Sequence, residues 1–357
     1  MSSIALFRLP HADACTLMLQ TEGEPQTLER LSMLDDCRGY VFAPFAPAPD
    51  NPILLLRPDV VQTYLCENVA QSLAASAALS GFQFFCSAFQ QPQSLAERLH
   101  YHLDFSNFYA QLCEGAFRKI VLARCSCIEK PEPQSPFVLF QEACARYPRM
   151  FISLVSTPQG GTWLTATPEV LLEKVSPKEP QQGCCFKTIA LAGTVDYSDD
   201  VKWSEKNIRE QRYVATYMME TLEHFSSDIV EDGPYTTRAA NLAHLRSDFN
   251  FRLPDGHHLG SLLHALHPSP AVCGLPKHDA FNFILRNESV PRRYYSGFQG
   301  PLDVEGMTHL YVSLRCMSIH HNRYRLYAGG GLLSDSDEES EWNETEAKLN
   351  TMRHVLE

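Results

Sequence analysis

Between Lys119 and Leu356 the chain alternates short β-prone runs, at residues 120–123, 151–155 and 324–328, with longer segments of helical periodicity. That alternation confines it to folds that mix sheet and helix. No internal repeat or low-complexity tract offers a simpler architecture. With 357 residues, 44% of them hydrophobic, the chain has material for two average domains or one large unit. The expectation is a single domain over residues 1–357, with residues 101–357 bearing the motifs and residues 1–100 forming a divergent N-terminal lobe. The first hundred residues hold apolar runs at 53–56 and 81–85 and an alanine-rich helical stretch at 69–79, without a catalytic motif. Proline-rich stretches at 42–52, 130–136 and 176–183 read as surface loops.

A formal net charge of −12 opposes binding to nucleic acid or an anionic membrane, and no basic patch offsets it. An anionic ligand would therefore need locally gathered cations. No run approaches the apolar length of a membrane span, and residues 1–9 lack the parts of a secretory signal, so the expected location is cytoplasmic. The twelve cysteines are scattered without a Cys-x-x-Cys pair and often sit in apolar runs, as at Cys86, Cys113 and Cys273. They read as buried free thiols rather than disulfides or a zinc site.

Two helices carry suggestive carboxylates. The first is expected to start at Ser204, a good N-cap, with Glu205 in its first turn. Its apolar stripe runs through Val214, Tyr217, Met218, Leu222 and Phe225, and one turn before Val214 stands Glu210, on the same face. An inward carboxylate and a solvated one at the stripe's rim fit this pattern about equally. The second helix is announced by Ser336-Asp337-Glu338-Glu339, which fits a capping box with Ser336 as cap. Its stripe is Trp342, Thr345, Leu349, Met352 and Leu356, bordered by Glu341, Glu344 and Lys348 at spacings of three and four. For an isolated helix these last would be a surface ion pair with a glutamate neighbour. Ahead of it, Gly329-Gly330-Gly331 reads as a turn from strand to helix, suited to close backbone approach or anion binding.

The motifs from about Phe117 to Leu356 occur in an order that resembles the chorismate-utilising enzymes, and among them the isochorismate synthases of menaquinone and siderophore pathways. They include residues 118–124, Ala166-Thr167-Pro168-Glu169, residues 190–194, Lys206-Asn207-Ile208-Arg209-Glu210 and His244-Leu245. Residues 266–274, Tyr295-Ser296-Gly297, Ser313-Leu314-Arg315 and Glu341-Trp342-Asn343-Glu344-Thr345 with Lys348 complete the set. The resemblance implies an α+β fold of two antiparallel sheets packed face to face with helices outside. It implies Mg²⁺ held by Glu210 and Glu344 with Glu341 close by, in keeping with that ion's preference for oxygen ligands. It implies Lys119 as general base, neutral at working pH, and Glu169 as general acid, kept protonated. Substrate contacts are implied at Gly193, Thr194, His244, Ala271, Tyr295, Arg315, Gly329 and Lys348, with Arg315 able to grip a carboxylate through both arms of its guanidinium.

The implied reaction is conversion of chorismate to isochorismate, expected to serve menaquinone biosynthesis. Anthranilate synthases place glutamine where Lys119 stands, and aminodeoxychorismate synthases a nucleophilic lysine where Ala192 stands. Neither amine-using reading fits, and no glutaminase subunit is expected. Salicylate synthases, which share the base, acid and metal positions, are the alternative, followed by a non-catalytic chorismate-binding relative. Two departures touch the second layer around the metal. The family's acid three residues before Glu210 is Asn207 here, and its histidine just after is Gln211.

Overall fold

The computed structural model describes residues 2–86, 97–175, 184–198, 200–239, 241–253 and 259–357; the expected loop at 176–183 lies outside them. Within these, the strands form two nine-stranded sheets whose neighbours all pair antiparallel. One sheet runs in the order Gly274–Leu275, Lys119–Glu129, Arg323–Leu332, Cys316–His320, Gly161–Thr167, Phe151–Thr157, Ser3–Arg8, Ala14–Gln20, Val60–Leu65. The other runs Ile229–Ala239, Leu242–Leu253, Cys184–Asp196, Val170–Val175, His309–Val312, Phe298–Leu302, Gly39–Ala43, Ile53–Leu56, Gln26–Leu28. Residues 3–65 thus put strands into both sheets.

An aromatic layer shows that the sheets pack face to face. Phe7, Phe151, Trp163 and Tyr327 from the first sheet meet Tyr40, Phe42 and Tyr311 from the second in one buried cluster. Phe151 stacks on Tyr311 at 4.2 Å between ring centroids, and Phe42 stacks on Tyr294 at 3.8 Å. Helices cover the outer faces. Pro136–Arg146 and Glu338–Leu356 bury Leu139, Phe140, Leu349 and Met352 against the first sheet, and Glu205–Leu222 and Leu259–Leu266 bury Met218, Leu222 and Leu263 against the second. Covering on both faces explains why the central strand Phe151–Thr157 is buried at every position instead of alternating. Among the described residues no helix is long and apolar enough to cross a membrane.

One polar group spans the aromatic layer. The Gln299 amide, fully buried, accepts from Tyr40 Oη (3.0 Å) and Ser153 Oγ (2.7 Å) and donates to Thr165 Oγ1 (2.9 Å) and Ser313 Oγ (3.1 Å). All four capacities of the amide are used, which is what a buried polar group needs.

Local expectations hold in most places and fail in a few. The 69–79 stretch is the helix Val69–Ala74 followed by a 3₁₀ turn Ala77–Leu79. Ser204 caps the Glu205–Leu222 helix by accepting from Asn207 N, and Phe225 falls beyond its end. The later helix is capped by Asp337, not Ser336: Asp337 Oδ1 accepts from Ser340 N at 2.9 Å, whereas Ser336 Oγ accepts from Leu333 N and closes the preceding turn. The three glycines are no turn. They belong to the strand Arg323–Leu332, with Gly329, Gly330 and Gly331 opposite Ala123, Leu122 and Val121. Cys86 and Cys113 are exposed rather than buried, Cys113 being the last residue of the Glu97–Cys113 helix, past its buried stripe.

Candidate active site

A cleft opens between the sheets where the strands Lys119–Glu129 and Arg323–Leu332 face residues 191–194 and His244. Of the thirteen residues expected at the site, ten line it: Glu169, Gly193, Thr194, Glu210, His244, Ala271, Tyr295, Arg315, Gly329 and Lys348. Ala192 and Gly331 line it as well. Lys119 lies just beneath the lining, fully buried, with Nζ 3.0 Å from Glu210 Oε1. The two form an ion pair whose geometry falls short of a hydrogen bond. Glu341 and Glu344 sit beyond the glycine strand, on the Glu338–Leu356 helix.

The glycines are required by what approaches them. A Cβ on Gly331 would stand 2.1 Å from Glu210 Oε1 and 2.8 Å from Lys119 Cε, and one on Gly330 would stand 3.2 Å from Glu341 Oε2 and 3.7 Å from Glu344 Oε1. Three carboxylates therefore converge on two consecutive glycines: a Cβ at Gly331 would displace Glu210, and one at Gly330 would crowd Glu341 and touch Glu344.

The cations on the opposite wall are organised by burial. Arg315 joins the strands His309–Val312 and Cys316–His320 with φ 46, a left-handed conformation unusual outside glycine, and it is 5% exposed. Its Nη2 donates to His244 Nε2 at 2.9 Å, and its Nη1 is buried without a partner. Because arginine only donates, His244 Nε2 must accept, so Nδ1 carries the hydrogen and donates to the Gly193 carbonyl at 3.1 Å. Burial, and then the charges of Arg315 and Lys348, push the His244 pKa well below the ordinary imidazole value, which fixes this neutral tautomer. Burial also lowers the Arg315 guanidinium to about 10, still charged at neutral pH. A buried charged fork with one arm unpaired is suited to a ligand carboxylate.

Glu169 follows the strand Gly161–Thr167 and is 4% exposed, its carbonyl accepting from Val312 N at 2.9 Å. Burial raises its carboxyl to about 7, against the pull of Lys119, Lys348 and Arg315. An energetic consequence follows. Between the ordinary carboxylate range and pH 7 the folded chain holds a proton that the unfolded chain gives up, so this residue's contribution to stability declines as pH rises through that window. Glu169→Gln removes the titration, and thermal melts at pH 5 and pH 8 should show the variant gaining on the wild type at the higher pH. An unchanged difference between the two pH values would mean that Glu169 titrates normally.

Each acid expected to bind metal is paired with a lysine: Glu210 with Lys119, Glu341 with Lys206, and Glu344 with Lys348 at 2.6 Å. Lys348 Nζ also donates to the Gly329 carbonyl at 2.8 Å. Lys348 holds Glu344 below the usual range against the cost of burial, while Glu341 is raised by burial and by its like-charged neighbour Glu344. As the side chains stand, no three of His, Cys, Asp or Glu among the described residues are grouped to hold an ion. The donor set nonetheless fits a hard divalent cation. Glu341 Oε2 is buried without a partner, and the glycine strand leaves room for the three carboxylates beside it.

Sequence reasoning missed the residues that brace the lining. Glu288 and Arg292, each 3% exposed at the side chain, form a buried pair. Arg292 donates to the Val272 carbonyl (2.6 Å) and the Val121 carbonyl (2.9 Å), while Glu288 accepts from Ala123 N (2.8 Å). Lys206 was visible within the Lys206–Glu210 motif, but nothing in its spacing connects it to Glu341.

Comparison with known proteins places the chain in a family and a fold. The chorismate binding enzyme family matches over residues 61–357. The isochorismate synthase EntC of Escherichia coli (strain K12) is 32% identical over 249 residues, covering 67% of this chain and 62% of that protein, so the match stops short of two thirds of EntC's length. The salicylate biosynthesis isochorismate synthase of Pseudomonas aeruginosa is 28% identical over 358 residues, covering 90% of this chain and 74% of the relative. In fold, the chain superposes on MenF, the menaquinone-specific isochorismate synthase from Escherichia coli, with a TM-score of 0.78 at 22% identity, over 99% of this chain and 89% of MenF. With a family match spanning most of its length and the cleft residues in place, this chain belongs to the chorismate binding enzyme family.

Proposed function

We propose that the protein is an isochorismate synthase, adding water to C2 of chorismate with loss of the C4 hydroxyl. The observation that carries this reading is a buried carboxyl, Glu169, raised to about 7 in a cleft where Lys348 and Arg315 supply the cations. A proton donor that survives at neutral pH, a buried amine and a cationic wall in a chain of net charge −12 suit a dianionic substrate that loses hydroxide.

In this reading Arg315 takes the enolpyruvyl carboxylate with its unpaired Nη1, and neutral His244 holds the guanidinium in place through Nε2. Tyr295, buried beside Gly329, and the backbone of the glycine strand border the same carboxylate. Lys119 accepts a proton from water as the water oxygen bonds to C2. The ring double bonds shift, and Glu169 gives its proton to the departing C4 hydroxyl, which leaves as water. Atoms balance, one water entering and one leaving. A Mg²⁺ ion held by Glu210 and Glu344, with Glu341 beside it, would supply the positive charge that neutralises the ring carboxylate. Ala192 lines the cleft without offering an amine, which supports water rather than a nitrogen nucleophile. Relatives bear names from salicylate and menaquinone biosynthesis alike, so the proposal ends at isochorismate, with menaquinone supply as the expected use.

The test is incubation of the purified protein with chorismate and Mg²⁺, resolving isochorismate, salicylate and pyruvate by chromatography. Isochorismate alone is expected; salicylate with equimolar pyruvate would overturn the reading in favour of a salicylate synthase, and unchanged chorismate would leave only binding. The role of Arg315 makes a further expectation. Arg315→Lys keeps a charge but loses the planar fork, and chorismate should bind roughly ten- to a hundredfold more weakly by calorimetry. Equal binding by Arg315→Ala would make the arginine purely structural.

A further inference from the structure

Outside the active-site cleft, three cysteines from three different elements meet. Cys15 lies on the strand Ala14–Gln20, Cys144 on the helix Pro136–Arg146, and Cys66 opens the 3₁₀ turn Cys66–Asn68. Cys15 and Cys144 are buried and Cys66 is half-buried, packed against the core that holds the other two. The backbone fixes this meeting: Cys66 N donates to the Asp13 carbonyl at 2.9 Å, and Cys15 Sγ donates to the Tyr64 carbonyl at 3.5 Å. Both other thiols are close enough to Cys66 to act on its titration. Cys66 and Cys144 also line an open surface cleft of about 720 Å³.

Arg8 borders the same cleft and is 3% exposed. Its Nη1 donates to the Cys144 carbonyl at 3.3 Å, its Nη2 donates to the carbonyls of Tyr147 (2.6 Å) and Met150 (2.7 Å), and its Nε is buried without an acceptor. A fixed guanidinium beside three sulfurs repels a metal cation and favours a thiolate. We infer that Cys66 is a peroxide-reactive thiol and that Cys144 is the partner that resolves it to a disulfide. The neighbouring Cys144, then Cys15, and the charge of Arg8 hold the Cys66 thiol below its ordinary range; burial raises Cys144. The carboxylates of Asp13, Glu67 and Glu142 at the rim of the cleft favour a small neutral oxidant such as hydrogen peroxide over an anionic one.

The chemistry takes two steps. The Cys66 thiolate attacks one peroxide oxygen, the O–O bond breaks, and sulfenic acid and hydroxide form. The Cys144 sulfur then displaces the sulfenic hydroxyl, and the thiol proton leaves with it as water. Two thiols and one peroxide thus become one disulfide and two waters.

The exposed thiols Cys86 and Cys113 provide controls within the same molecule. The whole protein is treated with equimolar hydrogen peroxide, the remaining thiols are alkylated, and the peptides are followed by mass spectrometry over time. Cys66 is expected to be consumed at least about tenfold faster than Cys86 and Cys113, yielding a Cys66–Cys144 disulfide. In Cys144→Ala the product should become a sulfenic acid on Cys66 that dimedone captures. Consumption of Cys66 no faster than the two exposed thiols would overturn the proposal on the unaltered protein, whether or not the variant folds. A bridge from Cys66 to Cys15 would overturn the assignment of Cys144.

Discussion

Lys119→Ala and Glu169→Gln are each expected to bind chorismate and to lose turnover by roughly a hundred- to ten-thousandfold, the usual cost of a missing general base or acid. Binding should survive because the cationic grip belongs to other residues, Arg315 and Lys348, on other elements. The loss should appear in kcat with little change in the chorismate dissociation constant. It should also appear equally in reverse. The base of the forward reaction ends it protonated and the acid ends it ionised, so each residue exchanges roles when isochorismate is the substrate. The forward and reverse catalytic forms of the pair carry the same number of protons, and the two pH profiles should therefore coincide in wild type. Near-normal rates for Lys119→Ala in both directions would mean that another group activates water, even if the product is isochorismate.

Much of this arrangement was legible in the sequence because its signals are local. Glu210 falls one turn from Val214, on the edge of the apolar stripe where helix geometry alone allowed an inward or a rim position equally, and the fold buries it to 9% exposed. The stripe through Thr345, Leu349 and Met352 told which face of the last helix packs down, and all three are buried. Side-chain competition moved the cap by one residue: Ser336 and Asp337 both cap well, and which takes the helix amide depends on Leu333 N, a turn away. The glycine run misled for a comparable reason. Three glycines suggest a turn when only neighbours in sequence are considered, but here the reason for their smallness stands across the fold, in Glu210, Lys119 and Glu341. The braces were illegible because they are long-range. Gln299 joins Ser153 across 146 residues, and Arg292 reaches Val121 across 171, so no spacing rule connects them. Cys86 and Cys113 warn in the opposite sense, since apolar neighbours do not bury a residue that stands outside any helix or strand, as Cys86 does, or at a helix end, as Cys113 does.

Glu210→Gln and Glu344→Gln are expected to abolish turnover, and a chelator to do the same to the wild type, reversibly on return of Mg²⁺. The argument rests on charge. Three carboxylates meeting at two glycines repel one another, and in this structure three lysines offset them. A divalent cation would meet the same electrostatic need through oxygen ligands and would free the lysines, Lys119 among them, from their carboxylate partners. Replacing one glutamate by glutamine keeps the shape of the side chain but removes a charge from that set, so affinity for the ion should fall while the fold persists. Stability offers a readout separate from catalysis. An ion that binds only the folded form stabilises it by about 2.7 kcal/mol at a hundred times its dissociation constant, so added Mg²⁺ should raise the melting temperature of the wild type and leave both variants unmoved. Far-UV circular dichroism should show all three proteins equally folded. Full activity in chelator, or in both variants, would show that these glutamates serve their lysines and not a metal.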